Sequence, residues 1–211
     1  MSFLQVAGRA RVFLLAGFLL AGLSGCALVG NGPAPNIYTL TAPDIEAAGG
    51  TEGAQLGLAD IMTSAAYDTN RIVYKPNANE IQYFANARWA DRAPRMLQGL
   101  LIDALDRSGG FAAVSRKGRG ISPDYELRLD LRNFGVEDTG EGKTVHISFA
   151  ARLADYEADE VIASRSFETV SRTEAQGAAA LVKVFDSSFA DMARALNDWA
   201  QSEIAARQTG G

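Results

Sequence analysis

Three runs between Tyr125 and Val170 alternate apolar and polar residues with period two. In Tyr125-Glu126-Leu127-Arg128-Leu129-Asp130-Leu131-Arg132 the apolar side chains fall on one face and the charges on the other. Val145 to Leu153 alternates in the same way, and Val161 to Val170 follows. Strands with this period bury one face and leave the other to water. Glu137 to Gly142 and Glu157 to Glu160 are turn-rich, so the three runs predict an antiparallel meander. A chain built around such a meander needs apolar helices to cover its inner face. Two segments supply them. Met96, Leu97, Leu100, Leu101, Ala104 and Leu105 recur at helical spacing between Asp91 and Arg107. Asp91 is the expected N-cap, Pro94 fits the first turn, and Ser108-Gly109-Gly110 ends the helix. Val182, Phe185, Phe189, Met192, Leu196 and Trp199 mark a second stripe on a helix over Ala175 to Ala206.

Upstream of the meander, Gln55 to Met62 reads as a strand, and Arg71-Ile72-Val73-Tyr74 with Glu80-Ile81-Gln82-Tyr83-Phe84 as a hairpin around Lys75 to Asn79. Phe111 to Val114 is a short strand after the first helix, which suggests a parallel crossover unit. The expected fold class is therefore layered α/β, a mixed β-sheet packed with two main helices. Ile37 to Leu40 fits an edge strand.

Residues 1–25 belong to a different kind of segment. Arg9 and Arg11 are their only charges, and an apolar run follows from Val12 to Leu23. A basic start followed by a short apolar run has the form of a secretory signal peptide, and the run is short for a membrane-spanning helix. It ends in Leu23-Ser24-Gly25-Cys26, which resembles the bacterial lipobox. That chemistry needs small residues for the peptidase groove and a thiol that becomes a diacylglyceryl thioether. The freed amine then takes a third acyl chain, palmitate. Cys26 is the lone cysteine of the chain and the expected lipidation site. Ala27 and Leu28 follow in place of the Asp that retains enteric lipoproteins in the inner membrane, which points to the periplasmic side of the outer membrane. The expected division is residues 1–25 as leader, 26–54 as lipidated N-terminus and flexible tether, 55–207 as a single domain, and 208–211 as a frayed tail.

Composition narrows the function. The 211 residues hold 20 Lys and Arg against 25 Asp and Glu, a net charge of -5. An acidic chain lacks the counterion-release term that drives nucleic-acid binding, so no nucleic-acid partner is expected. One Cys and one His leave no room for a His/Cys metal site, and no cofactor is expected. There is no Walker A run and no G-x-S-x-G elbow, so the reading leans away from an enzyme. His146 sits on an alternating strand without an evident nucleophile, and Asp103 and Asp106 belong to a solvated helix face. Two features suit a partner surface: Trp89, as a core aromatic or an interface anchor, and the basic run Arg116-Lys117-Gly118-Arg119, as a solvated loop or a contact for anionic headgroups.

Several of these motifs occur together in a known order. Ile37-Tyr38-Thr39-Leu40 follows the tether; then come Arg71-Ile72-Val73-Tyr74, Glu80 to Phe84, Arg88-Trp89-Ala90-Asp91 with Pro94, and Gly109-Gly110-Phe111-Ala112-Ala113-Val114. The series resembles the auxiliary lipoproteins of ABC-type transporters, the PqiC-like family, and spans most of the chain after Cys26. One departure is Ser64 to Thr69, which lacks the Pro and Leu of the family's Pro-x-Tyr-Leu-Asp. The resemblance implies a fold similar to anticodon-binding-like and TolB N-terminal domains. It implies a periplasmic accessory subunit of an MCE-type transport system for phospholipid or other hydrophobic molecules. The MCE-domain protein and the ABC permease and ATPase would be separate chains, and a homo-oligomer is compatible with that role. The alternative it leaves open is a TolB-like structural or envelope-assembly lipoprotein.

Overall fold

The computed structural model describes residues 34–46, 53–118, 122–138, 140 and 142–210. Pro35 to Gly211 form one compact unit. Its strands are β1 (Asn36–Tyr38), β2 (Gln55–Leu58), β3 (Met62–Thr63), β4 (Arg71–Asn77) and β5 (Glu80–Trp89), followed by helix α1 (Ala93–Arg107). Then come β6 (Ala113–Arg116), β7 (Tyr125–Asp138), β8 (Lys143–Asp155), β9 (Glu160–Thr173) and helix α2 (Ala178–Gly210). All nine strands join one mixed sheet, with the layered α/β organisation that the sequence pattern predicts.

The sheet is organised around β7. On one edge β7 pairs antiparallel with β8 over its whole length, and β8 pairs antiparallel with β9, giving the expected meander. Its other edge takes three short parallel strands in succession: β2 beside Leu127, β3 beside Leu131 and β4 beside Val136. β4 continues through its hairpin partner β5 to β1, and β2 continues to β6. The strand after α1 thus pairs in parallel with β2, and not with β5, the strand that precedes the helix.

The inner face carries Leu127, Leu129 and Leu131, then Phe134 and Val136. The change from odd to even numbers marks a register shift between Leu131 and Asn133. One extra residue there returns the apolar set to the core, where a simple alternation would have turned it outward. On β8, Val145, Ile147, Phe149, Ala151 and Leu153 are at most 1% exposed. α2 packs along β8 and β9 with Leu181, Phe185, Phe189, Met192, Leu196 and Ile204 buried. Its 33 residues rise about 50 Å, close to the length of a 14-residue strand at about 3.3 Å per residue. α1 packs on β6 and touches α2.

Several expected boundaries shift. The expected first strand is interrupted, as β2 and β3 with residues 59–61 between them. Arg92, and not Asp91, occupies the N-cap of α1, and no side chain caps it. Asp91 instead pairs with Arg95 at 3.2 Å. Pro94 lies in the first turn, where its missing N–H costs no helical bond. After α1, Gly109 adopts φ +72°, and a Cβ on Gly110 would sit 2.0 Å from Gln201 Nε2. The Gly-Gly-Phe motif therefore answers two separate demands, one of backbone conformation and one of close approach to α2. α2 continues through Gly210, past the expected frayed tail at 208. Within the segment read as tether, β1 pairs with β5, and Leu40 and Ile45 are buried in the core.

Candidate functional site

Of the residues singled out by sequence, Cys26 and Arg119 lie outside the described residues. Trp89 closes β5. Its N–H donates to Asn70 O at 2.7 Å, and its ring is 1% exposed. The ring centroid lies 5.2 Å from both Phe134 and Phe185, and these two are 5.0 Å apart. The indole joins β5, β7 and α2 in a buried aromatic cluster. The interface alternative for this side chain does not fit, because no surface remains for a partner to contact.

Arg116 and Lys117 stand at the end of β6. Lys117 Nζ reaches Glu126 Oε2 at 2.7 Å, and Arg128 Nη2 reaches the same oxygen at 3.1 Å. Glu126 is 2% exposed. Burial pushes its carboxyl upward, but the hydrogen bonds from Arg128 and Lys117 outweigh burial and hold it below the usual carboxylate range. Arg116 Nη1 lies 3.7 Å from Asp60 Oδ1. At both described positions the basic run is tied to carboxylates, so it is not a free cationic patch. Sequence spacing could not show this, because Asp60 and Glu126 arrive from other parts of the sheet.

A third polar group lies on the outer sheet face. Asn133 Nδ2 donates to Glu137 Oε1 at 2.7 Å, and Lys75 Nζ donates to the same oxygen at 2.8 Å. Tyr67 donates its hydroxyl proton to Asn133 Oδ1 at 3.0 Å. His146 Nδ1 lies 2.9 Å from Asn133 Nδ2 and 3.2 Å from Glu137 Oε1. Glu168 Oε1 lies 2.7 Å from His146 Nε2, outside hydrogen-bond alignment. Burial raises the Glu137 carboxyl, yet the hydrogen bonds from Lys75 and Asn133 and the charge of His146 leave it below its ordinary value. Burial also raises the Tyr67 phenol. Among the described residues His146 is contacted by an amide and two carboxylates, and by no hydroxyl or thiol nucleophile. The cluster joins β4, β7, β8 and β9 to the loop that carries Tyr67. Asp103 and Asp106, read as one solvated face, have separate partners. Asp103 pairs with Arg107, and Asp106 Oδ1 accepts the N–H of Val114, fixing β6 to the end of α1.

Among the described residues, no group of three or more His, Cys, Asp or Glu could hold a metal ion. No helix among them is long and apolar enough to cross a membrane.

A mixed sheet built on one long strand and backed by two helices defines a layered α/β domain. Residues 38–197 match the family of the ABC-type transport auxiliary lipoprotein component. The chain belongs to that family. Protein XCC0632 of Xanthomonas campestris has a similar crystal structure, with TM-score 0.74 and 27% identity, covering 82% of this chain and 98% of that one. A second crystal structure shares the fold at TM-score 0.62 and 17% identity, covering 78% of this chain and 97% of that one. Protein bll6063 of Bradyrhizobium diazoefficiens is 33% identical over 184 residues, 86% of this chain. The chain spans about half of that relative's length, 49%.

Proposed function

We propose that the chain is a lipid-anchored accessory subunit of an MCE-type ABC transport system, held by Cys26 on the periplasmic side of the outer membrane. In this reading it performs no chemistry itself. It docks the periplasmic part of the machine to a bilayer while phospholipid or another hydrophobic molecule is moved. The observation that carries the reading is the family match over residues 38–197 preceded by Leu23-Ser24-Gly25-Cys26. The ten residues from Cys26 to Pro35 span at most about 35 Å, so a domain beginning at Asn36 would stay beside its membrane. Three acyl chains, each methylene contributing about 0.8 kcal/mol, would make that attachment effectively permanent. The MCE-domain protein and the permease and ATPase would be partners on separate chains.

The test is purification from membranes of the wild-type chain and of Cys26→Ala. The wild type is expected to carry a triacylated Cys26 by mass spectrometry and to bring down an MCE-domain protein. Cys26→Ala is expected to lose both. An unmodified start in a freely soluble wild-type protein would overturn the anchor. Capture of outer-membrane assembly proteins in place of transporter components would overturn the transport role in favour of envelope assembly.

A further inference from the structure

Ile37, Arg88 and Arg71 stand side by side on three adjacent strands. The strand order here is β1-β5-β4; Ile37 is the register partner of Arg88, and Arg88 is the partner of Arg71. Residues directly opposite one another share a sheet face. Trp89 and Ile72, their neighbours along the chain, are each 1% exposed and point to the core, so the three residues lie on the outer face. Ile37 is 71% exposed, more than any other large apolar side chain among the described residues. Both arginines are exposed, and neither makes an ion pair among the described residues. Arg71 Cζ lies 3.6 Å from the centroid of the Tyr83 ring, which holds that guanidinium at the sheet surface.

Like charges directly opposite one another on neighbouring strands destabilise a sheet. Arg128 and Arg152 are also opposed, but there Glu126 pairs with Arg128. Arg71 and Arg88 have no such relief. The carboxylates nearest to them along the chain, Asp68 and Asp91, are occupied by Arg92 and Arg95. Two opposed cations beside an exposed isoleucine are unfavourable in water, and a negatively charged bilayer surface relieves both defects. There the guanidinium groups meet phosphate oxygens, and the isoleucine enters the boundary between headgroups and acyl chains. Position favours a bilayer over a soluble anion. β1 is the first strand after the tether, so a lipid on Cys26 keeps Ile37 within about 40 Å of the membrane.

We propose that the row Ile37, Arg88 and Arg71 is the surface on which the domain rests against an anionic lipid bilayer. The proposal rests on the lipid anchor at Cys26 and adds to it the orientation of the anchored domain. Wild-type protein purified from membranes would be added to preformed vesicles of phosphatidylcholine, and to vesicles of equal parts phosphatidylcholine and phosphatidylglycerol. Flotation reads the anchor. The rate of arginine modification by phenylglyoxal, followed by peptide mass spectrometry, reads the surface. On the mixed vesicles Arg71 and Arg88 should react at least about fivefold more slowly than on the neutral ones, the change that one arginine near an anionic surface supplies. Arg194, on the helix layer behind the sheet, should react at the same rate on both. Arg88→Gln should return Arg71 to its rate on neutral vesicles, and Ile37→Asp should do the same for both arginines. Arg88→Lys keeps the charge and should retain most of the protection of Arg71. These variants replace exposed side chains, so the fold and the flotation should be unchanged. A wild type that does not float overturns the anchor and this orientation together. A wild type that floats with Arg71 and Arg88 equally reactive on both vesicles overturns the orientation alone. Protection of Arg194 equal to that of Arg88, or full protection of Arg71 in both Ile37→Asp and Arg88→Gln, would overturn it as well.

Discussion

Two groups of cations on this sheet differ in what surrounds them. Lys117 and Arg128 close on Glu126, a carboxylate that is 2% exposed and is paired with both. Arg132, Arg152 and Arg165 are exposed on three neighbouring strands, with Arg165 on the opposite face from Arg152, and have no acidic partner among the described residues. The first group includes the basic run most visible in the sequence, and folding largely cancels its charge. The second is dispersed over three strands, and folding leaves its charge uncompensated. Adjacency along the chain therefore says little about the potential a ligand meets. The carboxylates brought alongside by other strands decide it.

The contrast can be broken most sharply at Glu126. Replacing both Lys117 and Arg128 by Met leaves a buried carboxylate without compensation, and the expected cost is about 3 kcal/mol in urea unfolding at pH 7. The pH dependence should also change sign. In the wild type Glu126 lies below its ordinary value, so its contribution is present above the unfolded pKa and is lost as pH falls through the folded one. In the double variant burial acts alone and raises the pKa, so relative stability should recover as pH falls from neutral. A double variant as stable as the wild type at pH 7 would show that water already reaches Glu126.

A smaller effect is expected from Lys117→Met alone. Arg128 still pairs with Glu126, and the loss should be about 1 kcal/mol by the same unfolding measurement. A loss equal to that of the double variant would make Lys117 the only effective partner. The smallest effects belong to the second cluster. Arg152→Gln should change stability by less than about 0.5 kcal/mol, because an exposed cation with no ion pair has little to lose on substitution. Ser164→Asp should be equally mild, or stabilising by up to about 0.5 kcal/mol, through the new pair with Arg152. A large loss in either variant would mean that the arginines hold the sheet together, and the distinction between the two groups would fail.

Much of the scaffold is legible in the residue pattern. Period-two runs give the meander, helical stripes give α1 and α2, and Gly109-Gly110 gives the end of α1. Even the shift from odd to even apolar positions between Leu131 and Phe134 is present in the sequence, although a fixed alternation through Arg132 conceals it. Asp91 has the side chain of an N-cap but lies one residue early, where its carboxylate accepts the Arg92 N–H and pairs with Arg95. The segment before Gln55 contains Gly and Pro and reads as tether, yet Leu40 and Ile45 find apolar neighbours that only the folded domain provides. Trp89 shows the same limit. An aromatic residue beside an arginine is ambiguous until Phe134 and Phe185 close around it.

The sequence by itself determined the fold class and the family of this chain, because both are written in local periodicity and in motifs that keep their order. It also marked Cys26 as the residue to test for an anchor. Only the tertiary structure decided which charges are cancelled and which stand together. Strand register and one bulge set those distances, and they leave Arg132, Arg152 and Arg165 without a carboxylate partner among the described residues while Lys117 meets Glu126. Electrostatic interaction depends on separation in space and on access to water, and neither quantity is a property of position along the chain.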